Sequence, residues 1–252
     1  MLAFSSLLGN VEGQNIYRIW YDKPASYWEE ALPVGNGRIA AMVFGDPQLE
    51  QIQLNEETVS AGSPYQNYNE EAKTALPEMR RLIFEGKYEE AQNMATTKIL
   101  SQVGNEMPYQ TVGRLNIRYQ DHKKVNNYYR DLDISNAVAV TRYKVDGVEF
   151  TEETFASFTD QLVIRHIKAS KPGTINCELF FNTPMRDPKR SIYGKKGLRL
   201  EGITYGSRYF PGKVHYCADL DVKHKGGKVI TANDTLLSVQ GASELTLYIS
   251  MA

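Results

Sequence analysis

The 252-residue sequence predicts a mainly β protein, a large antiparallel β-sandwich with one short helical insertion at about residues 69–100. Three observations predict it. Short apolar runs of strand length recur along the chain, separated by Gly, Pro, Asn and Asp in turn-forming combinations. The hydrophobic period becomes helical only once, between Asn69 and Leu100. So many strands with short connections fit antiparallel pairing, because parallel neighbours need a long crossover each. No repeat of about 20 to 50 residues is visible, which argues against a propeller or solenoid.

In chain order, residues 1–15 open with the apolar run Leu2-Ala3-Phe4-Ser5-Ser6-Leu7-Leu8 and turn polar from Asn10. They read as a leader or the remnant of a signal peptide, leaving residues 16–252 as one sandwich domain. From Ile16 to Asn55 the runs IYRIWY, RIAAMVFG and LEQIQLN each suit a strand. The last alternates, with Leu49, Ile52 and Leu54 among polar residues, as a strand with one wet face should. Around Gly35-Asn36-Gly37 two such strands are expected to meet in a tight turn.

In the helical stretch Ala72, Leu76, Met79, Leu82 and Ile83 share one face, and Pro77 marks a break or the first turn of a second helix. Gly86 suits a helix stop, and a further helix is expected from Tyr88, carrying Ala91, Met94, Ala95 and Ile99. After Pro108 the strand grammar returns. Candidates are 112–119, 128–134, 137–145, 148–157, 161–169 and 174–182, then 198–204, 213–222, 227–231, 235–240 and 245–250. Asp146-Gly147 is a hairpin signal of the type that needs two positive φ angles, and Pro172-Gly173 and Asn233-Asp234 mark further turns. The final run from Glu244 to Ala252 reads as a strand continuing to the chain end, as if cut there.

Bulk composition excludes several classes. Hydrophobic content of 42% and charged content of 23% are globular values. A net charge of -1 gives no reason to expect nucleic acid or an anionic membrane as partner. No apolar run reaches the length of a membrane span. Two cysteines, Cys177 and Cys217, exclude a disulfide-dense scaffold and read as two buried free thiols, a cross-strand pair being the alternative. His122, His166, His215 and His224 are scattered without metal-ligand spacing, so no metal and no cofactor is expected, and His166 reads as structural. Nucleophile, P-loop and zinc-protease signatures are absent, and Gly35-Asn36-Gly37 lacks the lysine and helix of a phosphate loop.

The strongest candidate site is the surface formed by the Asn36 turn with Arg38 and by the segment after Leu54, with Asn55, Glu56, Thr58 and Ser60. These hydrogen-bonding groups suit sugar hydroxyls or the backbone of a neighbouring domain, and Tyr65, Tyr68 and Tyr109 on flanking loops offer stacking surfaces. Taken singly, Asn55 and Thr58 read as turn-shaping residues and Glu56 and Glu57 as solvated charges. Asp131 and Asp133 share a strand face that reads as wet.

The run ALPVGNGRIAAMVFG, within Trp28–Gly45, resembles the N-terminal domain of glycoside hydrolase family 95, the inverting α-L-fucosidases. The likeness continues in Gln53-Leu54-Asn55-Glu56-Glu57-Thr58, Tyr109-Gln110-Thr111-Val112-Gly113 and Tyr129-Arg130-Asp131-Leu132-Asp133. It extends through Thr154–Ser157, Asp160–Ile164 and Ala169–Gly173 in the family's order. The chain departs from the family at Ala40, at the step Ser60-Ala61-Gly62, where the family has tryptophan-serine-glycine, and at Arg114.

The resemblance implies a sandwich of the supersandwich type that packs on an (α/α)6 catalytic barrel absent from this sequence. It therefore implies no catalytic residue here. Asn36, Arg38, Asn55, Glu56 and Thr58 become candidates for a substrate rim or a docking surface. It further implies the barrel as partner in cis, a fucosylated glycan as the substrate of the parent enzyme, and a periplasmic or secreted location. The alternative reading is a free-standing carbohydrate-binding sandwich.

Overall fold

A computed structural model describes residues 17–62, 67–101, 107–206 and 211–252. The expected leader at 1–15 and Tyr65 lie outside the described residues. Among the described residues sixteen strands build two antiparallel sheets that face each other, as the sequence predicts. In chain order they begin with β1 (Arg18–Tyr21), β2 (Leu32–Gly35), β3 (Ile39–Val43), β4 (Leu49–Glu56), β5 (Gly113–Tyr119) and β6 (Val125–Asp133). Next come β7 (Val138–Val145), β8 (Val148–Ser157), β9 (Leu162–Ala169), β10 (Ile175–Asn182) and β11 (Arg186–Tyr193). The last are β12 (Gly197–Ile203), β13 (His215–Lys225), β14 (Lys228–Asn233), β15 (Leu236–Ala242) and β16 (Glu244–Met251).

Nine strands form one sheet in the order β1-β6-β7-β8-β9-β16-β13-β12-β11, and seven form the other in the order β14-β15-β10-β5-β4-β3-β2. Alternation along each strand sends one set of side chains inward. From the seven-stranded sheet these include Ile39, Ile52, Leu54, Leu115, Ile117, Leu179 and Leu237; from the other, Val163, Ile167, Leu200, Leu220, Leu247 and Ile249, all essentially inaccessible. At about 1.5 to 3 kcal/mol per fully buried aliphatic side chain, this two-layer core is the main stabilising term.

Local chemistry sets the corners. The β7–β8 hairpin turns on Asp146 and Gly147, with φ of 49° and 79°, the two positive angles a two-residue hairpin of this type requires. Asn233 accepts hydrogen bonds from the N–H and hydroxyl of Thr235 and so shapes the β14–β15 turn. Strand β11 is the one the sequence hides. Its segment RDPKRSIY is charged and contains Pro188, because it is an edge strand with a free side, where charge and proline discourage further pairing.

The helical insertion forms α1 (Ala72–Phe84) and α2 (Tyr88–Met94), followed by one π turn at Ala95–Ile99. Pro77 does not break α1; it lies inside it. The one backbone bond it removes is to the carbonyl of exposed Lys73, which water can satisfy. Gly86, at φ 77°, ends the helix, with Gly86 N–H on the Ile83 carbonyl and Lys87 N–H on that of Leu82. The helices pack chiefly on each other, through Leu82 and Ala91, and leave Phe84 89% exposed.

Candidate functional site

The β2–β3 turn is held by Asn36, whose Oδ1 accepts the N–H groups of Arg38 and Ile39 at 3.1 and 3.0 Å. Its Nδ2 donates to the Ser157 carbonyl at 2.9 Å, which ties the turn to the end of β8 in the opposite sheet. Arg38 extends the tie. Its Nε donates to Gln161 Oε1 at 2.8 Å, and one terminal nitrogen donates to Glu56 Oε1 at 3.2 Å and to the Met251 carbonyl at 3.0 Å. One guanidinium thus joins the β2–β3 turn, the end of β4, the β8–β9 turn and the end of β16.

Glu56 is not a solvated charge. Alternation along β4 points it inward, 3% exposed, because Glu50, Ile52 and Leu54 occupy the same face. Its second oxygen accepts the N–H and hydroxyl of Thr58 at 2.8 and 2.6 Å, and Tyr109 donates its hydroxyl to the Glu56 carbonyl at 2.9 Å. The cluster is therefore split. Asn36, Arg38, Glu56 and Thr58 meet at the end of the sandwich, Thr58 itself being exposed, whereas Asn55 faces outward on the seven-stranded sheet opposite Ala40. Arg114 shares that outer face and donates to Gln51 at 2.6 Å, so two of the sequence departures, Ala40 and Arg114, lie beside Asn55.

The strands run up and down between two ends. At the Asn36 end β1, β3, β5, β7, β9, β11, β13 and β15 begin and β2, β4, β6, β8, β10, β12, β14 and β16 finish, and the helical insertion leaves from there. Exposed Tyr17, Tyr109, Ile134, Phe158 and Tyr205 collect at this end, with Phe158 78% exposed. The opposite end is made of turns such as Asp146-Gly147, Pro172-Gly173 and Gly226-Gly227. The β1–β2 connection, also at that end, exposes Tyr27 and Trp28, and Tyr193 borders the β11–β12 turn there.

Sequence reasoning missed a buried charge network between the sheets. Arg165 of β9 donates to Glu50 Oε2 at 2.8 Å, to Glu152 and to Thr154 Oγ1 at 2.7 Å, all in the interior. Tyr119 and Tyr143 each donate to Glu152 Oε1 at 2.7 Å, and the N–H groups of Phe44 and Gly45 donate to Glu50 Oε1 at 3.2 and 2.9 Å. Only glycine suits position 45: φ is 76°, and a Cβ there would stand 2.6 Å from the Tyr128 hydroxyl.

Two carboxylates share one guanidinium, and burial, only partly offset by Arg165, pushes Glu50 up to about 7. Burial also lowers His122, which stacks 4.2 Å from Tyr119 with Nδ1 at 3.0 Å from the Pro47 carbonyl. The signal was present as Glu50 in the buried phase of an alternating strand, which no single-strand pattern distinguishes from a wet face.

Asp131 and Asp133 also differ from expectation. Both are buried rather than wet, because Arg18 of β1 lies over them at 3.0 and 3.4 Å and Arg142 approaches Asp131 at 3.4 Å. Burial raises Asp131, while hydrogen bonds from Asn136 lower Asp133. His166 is half-buried, 3.1 Å from Thr246 Oγ1, and Cys177 and Cys217 are free thiols in different sheets, Cys217 being only partly buried.

Fold and sequence together define the class, the N-terminal β-sandwich domain of a glycoside hydrolase. Residues 19–252 match the family described as "Glycosyl hydrolase family 65, N-terminal domain", and the chain belongs to that family. It is 32% identical over 266 aligned residues to "Alpha-L-fucosidase 2" of Arabidopsis thaliana, covering 95% of this chain and 31% of that protein. It is 28% identical over 204 residues to "Probable alpha-fucosidase A" of Aspergillus niger, covering 74% of this chain and 24% of that one. A solved structure titled "Putative kojibiose phosphorylase from human microbiome" aligns with TM-score 0.49 and 9% identity, covering 94% of this chain and 32% of that chain. The chain thus spans 31% or less of the length of these curated relatives.

Proposed function

We propose that this chain is the non-catalytic N-terminal domain of an inverting α-L-fucosidase-type hydrolase of the family 95 kind, buttressing an (α/α)6 catalytic barrel. The observation that carries this reading is the group of exposed aromatic and aliphatic side chains at the Asn36 end, Tyr17, Tyr109, Ile134, Phe158 and Tyr205. A domain that docks by one end presents such an end, because contiguous apolar exposure without a partner is rare on soluble surfaces. The similarity to proteins named as α-fucosidases supports the substrate class.

Asn36, Arg38, Glu56 and Thr58 serve this role by holding the docking end rigid, and Asn55 with the outer sheet face borders it. Glu56 is spent on Arg38 and Thr58, which leaves it no part in acid or base chemistry. Inversion needs two carboxyl groups about 6.5 to 9.5 Å apart with room for a water between them; both belong to the barrel in this reading. A fucosylated glycan is the substrate of the parent enzyme, which acts in the periplasm or outside the cell.

The test is direct. The purified 252-residue chain should release no fucose from an aryl α-L-fucoside, and turnover that co-purifies with it through successive columns would overturn the non-catalytic assignment.

A further inference from the structure

On the outer face of the nine-stranded sheet lies a hollow of about 390 Å³, lined by Leu162, Tyr193, Asp219, Asp221, Lys223, Tyr248 and Ser250. Strand register explains it. Across the sheet Ile164, Tyr248, Asp221, Gly197 and Tyr193 fall in one row, and Ser250, Asp219 and Arg199 fall in the next. Gly197 contributes no side chain to that row and can contribute none. A Cβ there would stand 2.4 Å from the Leu220 carbonyl oxygen and 3.3 Å from a ring carbon of Tyr193. The Tyr193 ring therefore lies close over the Gly197 backbone, and the hollow sits beside it above Asp219 and Asp221, with Tyr193 on one side and Tyr248 on the other.

The polar groups of this hollow are largely unspent. Among the described residues, the Asp221 carboxylate, the Ser250 hydroxyl and the hydroxyls of Tyr193 and Tyr248 have no side-chain hydrogen bond, while Arg199 lies over one face of the Tyr193 ring at 4.5 Å and Lys223 over one face of the Tyr248 ring at 5.0 Å. Asp219 is the exception, bound by Arg199 through two contacts of 2.6 Å, which fixes one wall. Two other surface hollows differ. In that of about 300 Å³ beside Gln53 and Arg114, no ring lines the wall and Thr111, Thr183 and Arg114 already hold partners. In that of about 620 Å³ beside Glu201 and Cys217, the one tyrosine, Tyr216, is buried and its hydroxyl lies 3.2 Å from Thr183.

We propose that the Tyr193–Tyr248 hollow is a binding site for one neutral sugar unit of a glycan, separate from any catalytic centre. A pyranose offers an apolar C–H face for a tyrosine ring and vicinal hydroxyls that a carboxylate accepts in pairs. The volume falls within the range of about 300 to 1,000 Å³ typical of small-molecule sites. The choice of a saccharide as ligand rests on the glycoside-hydrolase reading above. The site would hold a branch of the glycan while another branch is cleaved.

The test is an amide chemical-shift titration of the whole chain with L-fucose, D-galactose and 2′-fucosyllactose as probes. Saturable shifts confined to residues around 193, 219–223 and 248–250 are expected with at least one probe. Tyr248→Ala should weaken that binding about tenfold, the size of one lost ring contact; Tyr193→Ala, on the edge strand, is the second variant should the first not fold. No shifts at these residues with any probe, or shifts unchanged in both variants, would overturn the site. Such a failure would leave the docking reading untouched, because the fucoside assay does not depend on this hollow.

Discussion

Arg38 shows how much one side chain can carry in a sandwich. Its guanidinium bonds to Gln161, Glu56 and the Met251 carbonyl, groups from three separate parts of the chain. The planar fork of arginine makes this possible by placing donors on separate nitrogens, Nε and a terminal one, a spread that the compact ammonium of lysine lacks. Removing it leaves Glu56 inside the sandwich without a countercharge. Arg38→Ala is therefore expected to destabilise the fold by about 2 kcal/mol, less than a fully buried pair because the arginine is a third exposed. Urea unfolding with an unchanged slope and a lower midpoint checks this, and a midpoint equal to the parent's would refute it. Asn36, Glu56 and Thr58 were legible as a cluster from residue type alone. That Asn55 parts company with them follows from strand alternation, once the register of β4 against β3 is known.

At the scale of elements, the helical insertion behaves as an independent unit. Its entry and exit are already joined, since Ser60 pairs with Tyr109 and Ala61 N–H donates to the Pro108 carbonyl at 2.8 Å. Helices α1 and α2 pack mainly on each other. Replacing the segment between Gly62 and Met107 with a short Gly/Ser turn should leave the sandwich folded, with a melting temperature within a few degrees of the parent. Circular dichroism should lose its helical component alone; loss of the β signal would show that the insertion holds the sheets together. Both helices were legible from periodicity and from Gly86. Edge strand β11 was not, because the charges and Pro188 that protect an edge erase the alternation by which strands are recognised.

Across the whole molecule, the Glu50–Arg165–Glu152 network joins the two sheets through the core, so its protonation bears on global stability. Burial raises Glu50 from 4.5 to about 7 in the folded state. Between those values the native chain binds a proton that the unfolded chain releases, so this contribution is full below the lower value and is lost as pH rises through the upper one. At about 1.4 kcal/mol per unit the shift corresponds to about 3 kcal/mol. Unfolding free energy should fall by that order between pH 5 and 8, and Glu50→Gln, neutral at both, should flatten the fall. Identical pH slopes in parent and variant would exclude Glu50 as the source.

Sequence alone determined the class of fold, nearly every strand, the hairpin at Asp146-Gly147 and the glycoside-hydrolase affinity, because turn chemistry and hydrophobic period are local properties. Tertiary structure decided the rest. It put Glu50 and Glu152 in the core and buried Asp131 under Arg18. It turned Glu56 inward and Asn55 outward, and set Tyr193 and Tyr248 on either side of one hollow. Each of these depends on which strand lies alongside which, and a contact between residues 115 positions apart, as Glu50 and Arg165 are, leaves no mark on local sequence.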